Sequence, residues 1–174
     1  MMESLRSRGF HTGLRPVARC ALWLPQNRRP GRGVRDCFTF GHQSRQNMNY
    51  VEVLAPQANG AAEGYDEDCL SLNVWTPDPS ANRRRPVMFR CHGGGFAQES
   101  GSWPWVSGEA LARRGDVVVV TINHRLNLFG YFHLGDVGGE KYAASGNAGM
   151  LDLVAGLTWV RDNISQFGGD PSLS

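Results

Sequence analysis

Apolar and polar residues alternate along Cys69-Leu70-Ser71-Leu72-Asn73-Val74-Trp75-Thr76, placing Leu70, Leu72 and Val74 on one face before Pro77 ends the run. A period of two predicts a strand with one buried side. Pro86 to Cys91 is a short apolar stretch with the length and composition of a buried strand. The continuous β-branched run Val117 to Ile122, leading to Asn123, suits a central parallel strand covered on both faces. Between these two, Ser107 is placed to cap a short helix, Gly108 to Arg114, closed by Gly115. From Asn147 to Gln166 the period becomes helical, with Met150, Leu153, Val154, Leu157, Val160 and Ile164 recurring before Gly168-Gly169. Strand, strand, helix, strand, helix predicts an α/β architecture around a largely parallel sheet.

Upstream, the pattern fades. Residues 1–35 hold no sustained period, and Pro16, Pro25, Pro30, Gly31 and Gly33 interrupt any element that starts. The expected organisation is a poorly ordered, arginine-rich leader over 1–35 and a folded domain over 36–174. Before Glu67 that domain is expected to carry at most a short strand near Tyr50 to Leu54. The loop from Asp78 to Arg85, with three arginines in a row, reads as a solvated turn.

A chain of 174 residues is long enough for one domain with a real core. Its net charge of +2 gives no argument for a nucleic-acid partner. Glu3 is the only acid before Asp36, so the start could be a transit peptide, a polyanion-binding arm or a non-native leader. The last is favoured, because Lys141 is the only lysine and arginine is the general cation of this chain. No stretch approaches the ~20 apolar residues of a membrane span. The start lacks a continuous apolar signal core, which tilts localisation toward the cytoplasm. The cysteines Cys20, Cys37, Cys69 and Cys91 have no C-x-x-C spacing, and only the adjacent Cys91-His92 brings a histidine near one. A metal site is therefore not expected, and Cys91 reads as a buried, inert thiol.

Chemistry concentrates at His92-Gly93-Gly94-Gly95-Phe96, directly after the second predicted strand. Consecutive glycines let the backbone turn sharply and leave amide N–H groups uncovered. Such a turn can aim two donors at one point, as a developing oxyanion in acyl transfer requires. An HGGG segment in this position is the oxyanion loop of lipases and esterases. The alternative is a glycine turn that only permits close packing. Trp103 and Trp105 follow, and offer flat apolar walls for a substrate pocket or packing for the loop. His92 reads as a loop anchor and His124 as a locally bonded residue. Ser100 and Ser102 lack the strained elbow and paired base of a nucleophile. Asp152 and Arg161 read as surface or ion-pair residues.

Several stretches resemble the type-B carboxylesterases, the cholinesterase-like branch of the α/β-hydrolases. They are Glu67 to Pro77, the glycine loop with Ser100-Gly101-Ser102, Asn123-His124-Arg125 with Phe129-Gly130-Tyr131, Ser145 to Asp152, and Trp159 to Pro171. The wording is most similar to bacterial para-nitrobenzyl-esterase-like members, over about residues 33 to 171. The resemblance implies a partial α/β-hydrolase fold and carboxylic-ester hydrolysis through an acyl-serine intermediate, on a small-molecule ester, without metal or cofactor. It implies Gly94 and Gly95 as oxyanion N–H donors. It also marks departures. The chain holds no G-x-S-x-G, the nucleophile elbow that this family places shortly after Gly-Gly-Asp-Pro, and the acid and histidine of the triad follow later still. An N-terminal portion of such an enzyme, inactive alone, is the first expectation; a non-catalytic remnant or interaction module is the second. Ser44 stands where the family often has the cysteine that pairs with the Cys69 position. Without the nucleophile strand, the strand at Pro86 to Cys91 is expected to have an unpaired edge.

Overall fold

The computed structural model describes residues 18–21 as backbone, and residues 39–47, 64–80 and 83–172 in full. The expected strand near Tyr50 and most of the expected leader lie outside the described residues. Four strands form one sheet: β1 (Ala18–Ala21), β2 (Ser71–Trp75), β3 (Val87–Cys91) and β4 (Val118–Ile122). The helices are α1 (Glu109–Gly115), α2 (Asn127–Tyr131), α3 (Gly135–Gly138) and α4 (Ala148–Asn163). A 3-10 turn, Ile164–Phe167, continues α4 and ends at Gly168, whose φ of 77° closes it in the left-handed conformation.

The order across the sheet is β1-β2-β4-β3. The architecture is α/β as expected, and within the described residues the sheet is mixed. Only β3 and β4 run parallel, joined by the α1 crossover, while β1–β2 and β2–β4 are antiparallel. Strand direction leaves no trace in a period of two, so the pattern could not separate the cases. β1 lies in a segment where the pattern predicts no element. A four-residue strand is held by its ladder, here Ala18 opposite Val74 through Ala21 opposite Ser71, rather than by its own period.

β4 is buried on both faces, as its β-branched run predicts. Val118, Val120 and Ile122 meet Val160, Ile164 and Phe167 on one side, and Val119 meets Trp75 and Ala112 on the other. The sheet is therefore sandwiched between α4 and α1. β2 corrects the expectation of one wet face, because all five of its residues are buried. Ser71 and Asn73 turn inward to a polar network under the loop at Ser100-Gly101-Ser102, where hydrogen bonds replace water. β3 is wetter than predicted, with Met88, Arg90 and Cys91 exposed. Its ladder is with β4 on one side; on the other, a single parallel bridge joins Arg85 to Gly169.

The helix α4 docks through its small side. Gly149, Asp152, Gly156 and Val160 are buried, while Met150, Val154 and Leu157 face outward. A Cβ on Gly156 would stand 2.3 Å from Ile122 Cδ1, so glycine is what lets the helix approach the sheet. Of the residues that recur at helical spacing, Val160 and Ile164 face the core, whereas Met150, Val154 and Leu157 do not. The arginine turn is also corrected. Arg83 and Arg84 are solvated, but Arg85 is buried and donates to Asp116 at 2.6 Å and to the Asp78 carbonyl at 2.9 Å. A charge can be buried where hydrogen-bond acceptors replace its water.

Candidate functional site

The parallel strands β3 and β4 end side by side, and each ends in a histidine. His92 follows Cys91, His124 follows Asn123, and their imidazoles stack with centroids 4.5 Å apart and planes 9° apart. The glycine segment leaves from His92. Gly94, Gly95 and Phe96 all have positive φ, at 86°, 60° and 62°, and the Ala97 N–H closes the turn on the Gly94 carbonyl at 3.1 Å. Gly94 is sterically required, since a Cβ there would meet the Gln98 carbonyl oxygen at 2.2 Å. At Gly95 a Cβ would meet nothing within 4 Å. Neither the Gly94 nor the Gly95 N–H donates to another of the described residues. Two donors therefore lie uncommitted on consecutive residues of a rigidly specified turn.

The loop is held from three directions. The Gln46 side chain acts as a strand of one residue, donating to the Glu99 carbonyl at 3.0 Å and accepting the Glu99 N–H at 2.7 Å. Asn127, itself left-handed at φ 52°, donates its N–H to the Phe96 carbonyl and its side-chain amide to the Ala97 carbonyl, at 2.9 and 2.8 Å. Behind the loop, Asn123 Oδ1 accepts from Ser100 Oγ and from the Gly101 N–H, at 3.0 and 2.8 Å. Thr121 Oγ1 donates to the Gly101 carbonyl at 2.7 Å. Gln46 carries no local signal, because its partner lies 53 residues away. Asn127 carries one: asparagine tolerates the left-handed region better than most residues.

Ser100 and Ser102 are buried, and Ser100 Oγ both donates to Asn123 and accepts the Ser102 N–H. Ser100 orders the loop through its hydroxyl, whereas the Ser102 hydroxyl is buried without a hydrogen-bond partner among the described residues. Trp103 is 2% exposed and spends its indole N–H on Gln43 at 3.1 Å, which is a packing geometry. Trp105 stands edge-on to it at 4.7 Å and keeps 45% of its surface. Cys91 is exposed rather than buried, and its partial burial raises the thiol pKa. The Cys69 thiol lies against the Ser44 hydroxyl, and burial, partly offset by that hydrogen bond, pushes its pKa up to about 11. Serine at 44 leaves Cys69 a free thiol there.

Burial is the main force on both histidines. It pushes His92 down to about 4, with repulsion from His124 adding to the effect and the Gly93 carbonyl opposing it. Burial also lowers His124, against the pull of the Arg125 carbonyl and of Asp152. Both rings are neutral at pH 7, which the close stack requires. Asp152 is an ion-pair residue, as one of its two readings held, but it is buried. Both its oxygens grip the Arg125 guanidinium, at 2.6 and 2.9 Å, and it also accepts the Arg125 N–H at 2.9 Å. Arg161 pairs at the surface with Asp162. A separate cavity of about 280 Å³ lies between Arg45, the acidic run 66–68, Arg125 and Phe129; the glycine loop does not line it. No group of three or more potential metal ligands occurs among the described residues. Nor does any helix there have the length and apolarity to cross a membrane.

Comparison with known proteins bears on the whole chain. The family model for the carboxylesterase family matches residues 15–173, beginning within the segment expected to be a leader. The para-nitrobenzyl esterase of Bacillus subtilis is 53% identical over 106 residues, covering 60% of this chain and 21% of that protein. A carboxylesterase from Geobacillus stearothermophilus superimposes with a TM-score of 0.71 at 47% identity, over 82% of this chain and 27% of that one. An esterase from Clostridium hathewayi, described as able to hydrolyse aliphatic aromatic polyesters, gives 0.75 at 44% identity, over 91% and 32%. The chain spans about a fifth to a quarter of the length of the curated relatives it matches.

Proposed function

The chain belongs to the carboxylesterase family, and from that premise we propose that it carries the oxyanion-binding part of a carboxylic-ester hydrolase. The observation that supports this most is the pair of uncommitted N–H groups at Gly94 and Gly95, in a turn held at positive φ from Gly94 to Phe96. As an acyl carbonyl becomes tetrahedral, negative charge gathers on its oxygen. Two fixed donors stabilise that charge more than the neutral carbonyl, so they lower the barrier rather than merely bind the ester. They need little reorganisation while the contacts around the loop, the Gln46 and Asn127 hydrogen bonds among them, hold the turn. Of the two tryptophans, Trp105 is the one with surface left to face a substrate; Trp103 supports it from beneath.

Within residues 1–174 the sequence holds no G-x-S-x-G. The share of the reaction assigned to these residues is thus the electrostatic one, and the 174-residue chain by itself is expected to be inactive. In the complete enzyme, a serine would attack the ester carbonyl, expel the alcohol and leave an acyl-serine for water to cleave. A non-catalytic interaction module is the second reading, favoured by the apolar side chains left outward on α4. Hydrolysis of a para-nitrophenyl ester by the product of the uninterrupted native locus decides between them. Turnover with fluorophosphonate labelling, and a loss of about 10²-fold or more in kcat on Gly94→Ala, supports the esterase. Absence of both from a folded product leaves the interaction module.

A further inference from the structure

The chain from His124 to Tyr131 meets the glycine segment at both of its ends. At the near end, the His124 ring is the face on which His92 stacks. At the far end, Phe96 packs edge-on to the same His124 ring at 6.5 Å and against Tyr131 at 5.1 Å. The Tyr131 hydroxyl lies 3.5 Å from His124 Nδ1, and that nitrogen faces the Arg125 carbonyl at 3.1 Å. One imidazole thus touches the residue before Gly93 and the residue after Gly95. We propose that His124 is a positioning residue for the oxyanion loop: its ring, braced by Tyr131, fixes the directions of the Gly94 and Gly95 N–H groups by holding His92 and Phe96 together.

Three glycines between two anchors have little stiffness of their own, since each samples both signs of φ. Hydrogen bonds from Asn127 fix the Phe96 and Ala97 carbonyls but not the direction from which the chain enters at Gly93. That entry is set by His92, and His92 is seated on His124. The ring also links the loop to the protonation state of its surroundings. The titratable and charged groups around the pair are His92 from the end of β3, Tyr131 from α2, Asp152 of α4 with its partner Arg125, and Cys91 near Tyr131. On the open side, the Glu99 carboxylate stands 3.6 Å from where a Gly93 Cβ would lie. A proton on either imidazole places a charge in a stack built for two neutral rings, and a second proton sets like charges 4.5 Å apart.

The proposal takes its catalytic meaning from the oxyanion reading. A readout of loop order keeps the two separable, because the loop can prove unheld while esterase chemistry stands, and the reverse. The experiment is the heteronuclear NOE of the 174-residue chain labelled with 15N-glycine, with Gly156 in α4 as the reference for global order. At pH 7.5, Gly94 and Gly95 are expected to match Gly156. In His124→Ala they drop to values of a disordered loop while Gly156 holds, and His124→Phe restores them through a ring that cannot titrate. On acidification the native loop loosens in step with the His124 imidazole signals, and the His124→Phe loop does not. The proposal is overturned if His124→Ala leaves both glycines as rigid as before. It is equally overturned if the native loop stays rigid through the titration of His124, an outcome readable even if His124→Ala fails to fold.

Discussion

At Gly94 and Gly95 the same residue type meets two different constraints, and substitution should separate them. Alanine at 95 has room and suffers only the left-handed backbone, a penalty of about 1–2 kcal/mol. Alanine at 94 bears that penalty and also collides with the Gln98 carbonyl oxygen at 2.2 Å, so the turn itself must open. Thermal unfolding should show a modest loss for Gly95→Ala and a clearly larger one for Gly94→Ala; equal losses would contradict the turn described. His92 is the other residue whose environment is measurable. Its folded pKa, about 4, lies below the ordinary 6.5, so between those values the unfolded chain binds the proton more strongly. The stability it contributes, about 3 kcal/mol, is therefore complete above pH 6.5 and lost as the pH falls toward 4. His124 acts in the same direction. Denaturant midpoints taken from pH 7 to pH 4 should fall steeply, and less steeply in His92→Phe.

Between elements, the Arg125–Asp152 pair is the joint that fastens α4 to the segment after β4. Asp152 is nearly fully buried, and the pairing is a two-point fork with a third bond to the backbone. Removing one charge strands the other partly desolvated, which is costlier than losing an exposed pair. Asp152→Asn should destabilise the chain by about 2–4 kcal/mol, against less than about 0.5 kcal/mol for Asp162→Asn at the exposed pair with Arg161. The difference is readable by urea titration, and near-equal values would mean that α4 is held by Gly156 and Val160 alone.

Taken as a whole, the molecule leaves much apolar surface wet. Leu128, Phe129 and Val137 are 71%, 51% and 84% exposed, and Val154 and Leu157 on α4 add to them. Surfaces of this kind associate or bind dyes in isolation. Among the described residues the outer edge of β3 carries only the Arg85–Gly169 bridge, and an edge so thinly paired adds a second route to association. The 174-residue chain should bind a hydrophobic dye and sediment with a concentration-dependent coefficient. Replacing Val154 and Leu157 together by lysine should reduce both effects while leaving the unfolding midpoint nearly unchanged. A monomeric native chain that ignores the dye would show that these faces are covered by residues outside those described.

Local chemistry wrote much of this protein into its sequence. Val118 to Ile122 suited a strand buried on both faces, because β-branched residues without a polar alternation leave no wet side. Three glycines after a strand announced a turn with open N–H groups, and Phe167-Gly168-Gly169 announced the end of a helix. The run of motifs from Glu67 to Pro171 carried the family. What the sequence left open depends on distances between residues far apart in the chain. Strand direction, the seating of α4 on glycines rather than on Met150, Val154 and Leu157, and the burial of Arg85 between Asp78 and Asp116 follow from which surfaces meet. So do the grip of Gln46 on Glu99 and the stacking of His92 on His124. Periodicity reports what each residue would prefer beside water or oil; only the assembled sheet decides which neighbour it gets.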